Sequence, residues 1–305
     1  MRITHNLMAD RVLANLWQTQ RSLLKWHTQG SSARRVNVPS DDPAGTMSIL
    51  RYRSSLSELE RYASSAAEAH EWITVSDEAI MHLQNNLHRV REIAVLGANG
   101  SLPPDARTAY TAELEEIIRH VVTIANSSYD GRFVFGGHET TQPPFVQDAT
   151  GVAYNGDQGE ILREVGRGVN LTINVPGDEL FGTVALDAGG NVVGGQGVFH
   201  LLARLKEEIE AGNVAQVSAL LEDLNQVQEL VNNYQVKLGA TGRRALQVMD
   251  QVRDVRITME TLLSNIEDAD VAEVTMRLAT AEASYRYALA VGARIMQPSL
   301  VEYLR

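Results

Sequence analysis

Histidine is where chemistry would first show itself, and the chain has eight: His5, His27, His70, His82, His88, His120, His138 and His200. No two are four residues apart, the spacing that sets two imidazoles around zinc on one helix face, and no pair of Glu-x-x-His motifs builds a di-iron bundle. Glu116 and His120 stand one turn apart, which reads as a solvated helix-surface pair and not as a ligand set. Residues 189–197, GGNVVGGQG, invite a phosphate-loop reading. Yet Gln196 stands where such a loop has its lysine, and Val198-Phe199 follow the last glycine in place of Lys and then Ser or Thr. The run reads instead as a flexible exit from a β region. No serine sits in a G-x-S-x-G turn, and the absence of cysteine excludes a thiolate nucleophile, a disulfide and a Cys-ligated metal. The residues thus supply no catalytic constellation, no cofactor site and no metal site, and argue against an enzyme.

Composition narrows the partners. A formal net charge of -11 opposes a phosphate backbone, and no Lys/Arg-rich face with interleaved aromatics offsets it, so nucleic acid is not expected as a partner. Asp10 and Arg11 fall too early for a cleaved signal peptide, and no stretch approaches the ~20 apolar residues of a membrane span. Neither Sec-dependent export nor membrane insertion is expected, while secretion through an uncleaved N-terminus stays open.

The elements that must position these residues are of two kinds. Fifteen of the 23 glycines lie between Gly131 and Gly197. Within that span, residues 132–135, 160–165, 170–175 and 184–187 are β-branched or aromatic runs set between turn signals such as Asn155-Gly156-Asp157. A small, mostly antiparallel β domain is expected there. On either side the apolar spacing is three and four: Met8, Val12, Leu16, Leu23 and Trp26; Ile49 to Ile73, extended by Ile80 to Ala94; and Tyr110 to Ile124, which opens at two prolines. These make four N-terminal helical segments. Beyond the insert, Val217 to Leu238 and Ala245 to Ile266 continue over about fifty residues, longer than an ordinary globular helix and suited to a coiled coil. A last helix begins at Asp270, a good N-cap with Glu273 at N3.

The expected fold class is therefore mainly α with a small β insert. A long antiparallel coiled-coil rod is formed by the N- and C-terminal halves, with the termini at one end and a central antiparallel β domain at the other. The expected domains are a terminal helical core over 1–42 and 268–305, a helical rod over 43–130 and 198–267, and the Gly-rich β domain over 131–197. Two terminal helices cover each other only in part, so neighbouring subunits would cover the rest; one monomeric bundle is an equal alternative on periodicity alone.

Residues 34–45, RRVNVPSDDPAG, resemble the flagellin superfamily, in which the first helix ends in a basic-apolar-Asn segment and an Asp-Asp turn. Asp42 is placed to cap the next helix with Pro43 at N1, Ser40 and Asp41 to make turn bonds, and Arg34 and Arg35 to offer donors to a neighbour. MRIT at residues 1–4, the prolines of PSDDP, YDGRFVFGG at 129–137 with Pro144-Phe145, and RIMQPSLVEYLR at 294–305 are similar to the hook-associated protein 3 branch. So is Leu238-Gly239-Ala240 with Arg243. Ala33 departs from the pattern by standing where a glycine is usual, and Trp17 and Trp26 lie in the first helix. Residues 87–100, LHRVREIAVLGANG, are similar to a flagellin stretch read by an innate-immune receptor, with Arg89, Arg91 and Glu92 as its exposed contacts; a solvated face packing between subunits is the plainer reading.

The resemblance implies a structural subunit at the hook-filament junction of the bacterial flagellum, exported through the flagellar type III apparatus without a cleaved signal peptide. Its partners would be itself, another hook-associated protein, flagellin, and an export chaperone at the C-terminal helix. The assembly interface would include Leu7, Val12, Leu16, Leu23, Arg34, Arg35, Asn37, Asp41, Asp42, Leu278, Tyr285, Leu289, Ile295, Leu300 and Leu304. Major filament flagellin and a cytoplasmic coiled-coil scaffold are the rival readings.

Overall fold

The computed structural model describes residues 2–100 and 102–295, without the side chains of 2–6 and 295. It divides into a terminal unit, Met1–Glu58 with Asp254–Arg305, and a middle unit, Leu59–Arg253. The architecture is predominantly helical with small antiparallel sheets, as the apolar spacing predicts. Helix α1 (Arg2–Ser32) and helix α7 (Val271–Ile295) belong to the terminal unit, and two long helices, α2 (Pro43–Ala98) and α6 (Val214–Glu267), run through both.

In the middle unit the burial pattern follows the heptad. Along α2 the buried positions include Tyr62, Ala66, Ala69, Ile73, Ser76, Ile80, Leu83, Leu87, Val90 and Ala94, alternating steps of four and three. Along α6, Val217, Leu224, Val231, Leu238, Ala245 and Val252 recur every seven residues. That is the seam of a coiled coil, and it keeps α6 unbroken through Gly239 and Gly242 although each glycine costs roughly 1 kcal/mol in a helix. Gly242 has a packing reason: a Cβ there would lie 3.3 Å from the Ile73 side chain. Hydrogen bonds flank the seam, from Gln84 to Asn232 and Gln235 and from Arg91 to Asn225 and Gln228.

Two further helices fold back beside this pair. Helix α3 (Pro104–Ala125) starts with Pro104 at its first position, and α5 (Gly197–Ala211) packs against it and buries Phe199, Leu202, Leu205 and Ile209. Sequence reasoning separates four N-terminal helical segments, whereas the structure has three, because nothing between Ile73 and Ile80 breaks the α2 seam.

The β insert comprises β1 (Ser128–Tyr129), β2 (Arg132–Phe133), β3 (Phe145–Asp148), β4 (Gly151–Tyr154), β5 (Leu162–Gly166), β6 (Val169–Thr172), a one-turn helix α4 (Gly177–Leu180), β7 (Thr183–Leu186) and β8 (Val192–Gln196). They form an antiparallel four-stranded sheet in the order β3-β4-β7-β8 and two hairpins, β1-β2 and β5-β6. The first hairpin turns on Asp130 and Gly131, at φ 48° and 73°, the left-handed pair that suits the strand twist. Phe135, Phe145, Phe181 and Phe199 fill the centre with ring centroids 5.0–6.2 Å apart.

Two expectations are corrected here. GGNVVGGQG is not a flexible exit: Asp187 accepts from the Gly189 and Asn191 amides, each at 2.8 Å, which closes a turn into β8. Gly195, at φ 138°, then brings its backbone against Thr183 more closely than any side chain would allow. Nor does the β insert occupy the far end of α2. That end is met by the α5–α6 connection, with Ile209 and Val217 against Gly97. The insert lies beside residues 61–72 of α2 instead, where Tyr129 stacks edge-on with Trp72 and bonds Glu71, and where Arg163 faces Glu68 and Arg61 faces Glu164. The apolar stripes of α3 and α5 have to be covered, and folding back along α2 covers them.

Candidate assembly site

In the terminal unit four helix ends converge: the end of α1, the start of α2, the end of α6 and the start of α7. Each raises a backbone problem that the local sequence answers. Asp42 begins α2 by accepting from the Gly45 amide at 2.8 Å, with Pro43 next in line. That bond, aided by the Arg35 guanidinium, holds the Asp42 carboxyl below the usual carboxylate range. Asp41 accepts from the Asn37 and Val38 amides at 3.2 Å each. Asp270 caps α7 through the Ala272 and Glu273 amides at 2.8 and 3.2 Å. Glu273 does not reach back to complete a capping box but bonds Arg277.

At the centre lies Glu267, the last residue of α6, its side chain 5% exposed. A carboxylate at a helix C-terminus opposes the helix dipole, so it needs cations. Arg34 Nε stands 2.7 Å and an Arg53 terminal nitrogen 2.6 Å from the same Oε1. Arg35 donates to the Ile266 carbonyl from two guanidinium nitrogens and to Asp42. The chain is stitched alongside, with the Arg35 amide on the Glu267 carbonyl at 2.7 Å and the Ala269 amide on the Ala33 carbonyl at 3.0 Å. Buried Gln29 donates to the Arg35 carbonyl. Arg34, Arg35, Asn37, Asp41 and Asp42, expected at an assembly interface, lie together in this junction. Arg34 and Arg35 spend donors inside the chain, and both stay about half exposed.

Sequence reasoning missed Glu267, Arg53 and Gln29. The one available signal was an acidic residue ending a long helix, where its charge is misplaced unless something answers it.

Beyond the junction α1 and α7 run antiparallel, Val12 beside Gly292 and Gly30 beside Val274, with Arg277 over the Trp26 ring. Val12, Leu16, Leu23, Leu278 and Tyr285 are half-buried between them. Leu7, Met8, Leu13, Trp17 (60%) and Leu24 on α1, and Val271, Met276, Tyr287 (74%), Leu289 and Val291 on α7, remain exposed. Ten large apolar side chains on one helix pair are far more than scattered surface residues. The Ile295 side chain, Leu300 and Leu304 lie outside the described residues.

The receptor-like segment sits on α2 in the middle unit. Arg89 clasps Glu113 of α3 with two nitrogens at 2.6 and 3.1 Å and meets Glu92 at 2.5 Å. The paired guanidinium holds the Glu113 carboxyl low, and the two carboxylates raise the arginine further. Arg89, Arg91 and Glu92 are exposed while bracing α2 against its neighbours. His120 bonds Asn86 and Glu116 bonds Arg119, so the turn-spaced pair is not a unit. Among the described residues no group of three His, Asp or Glu side chains is disposed to hold a metal, and no helix is long and apolar enough to cross a membrane.

Comparison with known proteins adds three findings. Residues 3–140 match the family described as the bacterial flagellin N-terminal helical region. Flagellar hook-associated protein 3 of Salmonella typhimurium is 25% identical, over 94% of this chain and 95% of its own, and a flagellin of Listeria monocytogenes is 23% identical over 89% and 88%. Among solved structures, the flagellar junction protein of Legionella pneumophila superposes at a TM-score of 0.58 with 15% identity, covering 72% of this chain and all of that one.

Proposed function

We propose, from the premise that this chain is a flagellin-superfamily protein similar to hook-associated protein 3, that it is a structural subunit of the bacterial flagellum at the hook-filament junction. It works by self-assembly through α1 and α7 and not by catalysis. The observation that carries this reading is the exposed apolar surface of the α1–α7 pair. A helix pair whose large side chains point outward is stabilised by further helices, and each apolar Å² removed from water contributes roughly 25 cal/mol. Ordering the ends costs about 1–2 kcal/mol per residue, so several partners have to contribute at once and assembly is cooperative. The segments 1–42 and 268–305 are the assembly domain, and the polar junction ties the end of α1 to the end of α6.

Export proceeds through the flagellar type III apparatus without a cleaved signal, with a chaperone shielding the C-terminal helix. Another hook-associated protein lies below the subunit and flagellin above. The test is electron microscopy of cells expressing the chain without residues 276–305. Hooks lacking filaments, with unassembled flagellin in the medium, are expected; long filaments on those hooks would overturn the reading. The rival, major flagellin, is separated by abundance, because this chain is expected only in traces in purified filaments.

A further inference from the structure

Asparagine followed by glycine carries a chemistry of its own, and the chain has two such steps, Asn99-Gly100 and Asn155-Gly156. With no Cβ in the way, the glycine amide nitrogen can swing onto the carbonyl carbon of the asparagine side chain, because glycine turns through conformations that hinder other residues. Both asparagines are exposed, so access to water does not separate them. Backbone freedom does.

Asn155-Gly156 is clamped on both sides of its glycine, with the Asn155 amide on the Pro144 carbonyl at 2.7 Å and the Asp157 amide on the Gly136 carbonyl at 3.1 Å. The Tyr154 hydroxyl closes the turn, 3.0 Å from the Phe135 carbonyl and 2.8 Å from that of Asp157. Gly156 is so hemmed in that a Cβ there would fall 2.5 Å from Tyr154 Oη and 2.8 Å from the Gly136 carbonyl oxygen. Its nitrogen cannot swing unless these bonds break. Asn99-Gly100 instead lies just past Ala98, the last residue of α2. Gly100 is exposed at φ 68°, and a Cβ built on it would meet a Val214 methyl at 3.6 Å, an ordinary contact. Here the side chain and the amide have room to meet.

We propose that Asn99 is a self-modification site, at which the free chain loses ammonia and becomes a mixture of aspartate and isoaspartate. The Gly100 amide nitrogen gives its proton to hydroxide and attacks Asn99 Cγ; the new N–Cγ bond forms as the Cγ–Nδ2 bond breaks, and ammonia leaves with a proton from water. Water then opens the cyclic succinimide. Addition at Cγ restores the main chain with aspartate at 99, while addition at the main-chain carbonyl carbon routes the chain through Cγ and leaves isoaspartate. The balance is one water in and one ammonia out, with nothing oxidised or reduced. Either product sets a new carboxylate at the C-terminal end of α2, where the helix dipole disfavours an anion, and isoaspartate also lengthens the link to α3 by a methylene. Gly97, two residues before, seats against the Ile209 and Val217 side chains, so the altered end is the one that meets the α5–α6 connection. The inference is independent of the assembly reading.

The test is prolonged incubation of the full chain in neutral and in mildly alkaline buffer, folded and in urea, followed by peptide mass spectrometry across residues 99 and 155. Isoaspartate is read separately by enzymatic methylation. In urea both steps are expected to react at similar rates. In the folded chain Asn99 is expected to stay within about tenfold of its unfolded rate while Asn155 slows by more than tenfold, since its clamp has to open first. The Asn99 rate should rise with pH, because the deprotonated nitrogen attacks. Asn99→Gln, which would need a larger and slower ring closure, is expected to remove the isoaspartate signal at that position. An Asn99 slowed in the folded chain as much as Asn155, an Asn155 that reacts as fast as Asn99 there, or a product at 99 without isoaspartate overturns the proposal.

Discussion

Ala33 is held at φ 54°, the left-handed region in which a Cβ crowds the backbone, and it does so where α1 ends and its carbonyl receives the Ala269 amide. The position tolerates the strain because the bridge beside it, Arg34 to Asp268, fixes the turn from the other side. Glycine adopts this conformation freely, and the same location is a glycine in the pattern the sequence resembles. Ala33→Gly is therefore expected to stabilise the terminal unit by about 0.5–1 kcal/mol, the relieved strain exceeding the extra chain entropy of glycine in the unfolded state. A denaturant midpoint followed by Trp17 and Trp26 fluorescence checks it, and a lower midpoint would show that the strain is already relaxed. Asp130, the other non-glycine at positive φ among the described residues, needs no such relief, since Asp is well suited to the first place of its turn.

At the scale of elements, the two long helices are specified by seams that repeat every seven residues, but where they stop is decided by polar chemistry. Asp42 and Asp270 start helices by binding amides that would otherwise lack partners, while Glu267 ends one only because two arginines answer its charge. Removing that carboxylate leaves two guanidinium groups facing a buried gap. Glu267→Gln is expected to destabilise the terminal unit by roughly 1–3 kcal/mol, with faster amide exchange at Arg35 and Ala269, whose bonds lie beside it. A double-mutant cycle with Arg53→Gln reads the coupling directly, and exchange rates unchanged from the native chain would show that the backbone stitching holds the junction without the ion pairs.

At the scale of the whole molecule, a better-covered middle unit contrasts with the α1–α7 pair, which among the described residues leaves ten large apolar side chains in water. Local stability follows burial, so the two parts are expected to open with different free energies. Hydrogen exchange on the dilute free chain is expected to show α2 and α6 protected between residues 62 and 252 and α1 and α7 exchanging within the first seconds. Terminal helices as protected as the middle would mean that the pair is sufficient to itself, and assembly would lose its driving surface.

The sequence by itself determined the helices, their seams and the β character of the glycine-rich span. Periods of seven and two follow from where side chains point along a helix or a strand, and the caps Asp42 and Asp270 are legible for the same local reason. It also placed Arg34, Arg35, Asn37, Asp41 and Asp42 in one cluster, because they are close along the chain. Only the tertiary structure decided that Glu267 and Arg53, more than 200 residues apart, close that cluster, and that the β insert lies beside α2 at residues 61–72. It alone turned GGNVVGGQG into a strand. These depend on which stripe covers which, and a stripe names its own periodicity but not its partner: pairing is settled by the total apolar surface the fold can remove from water, a property no local window contains.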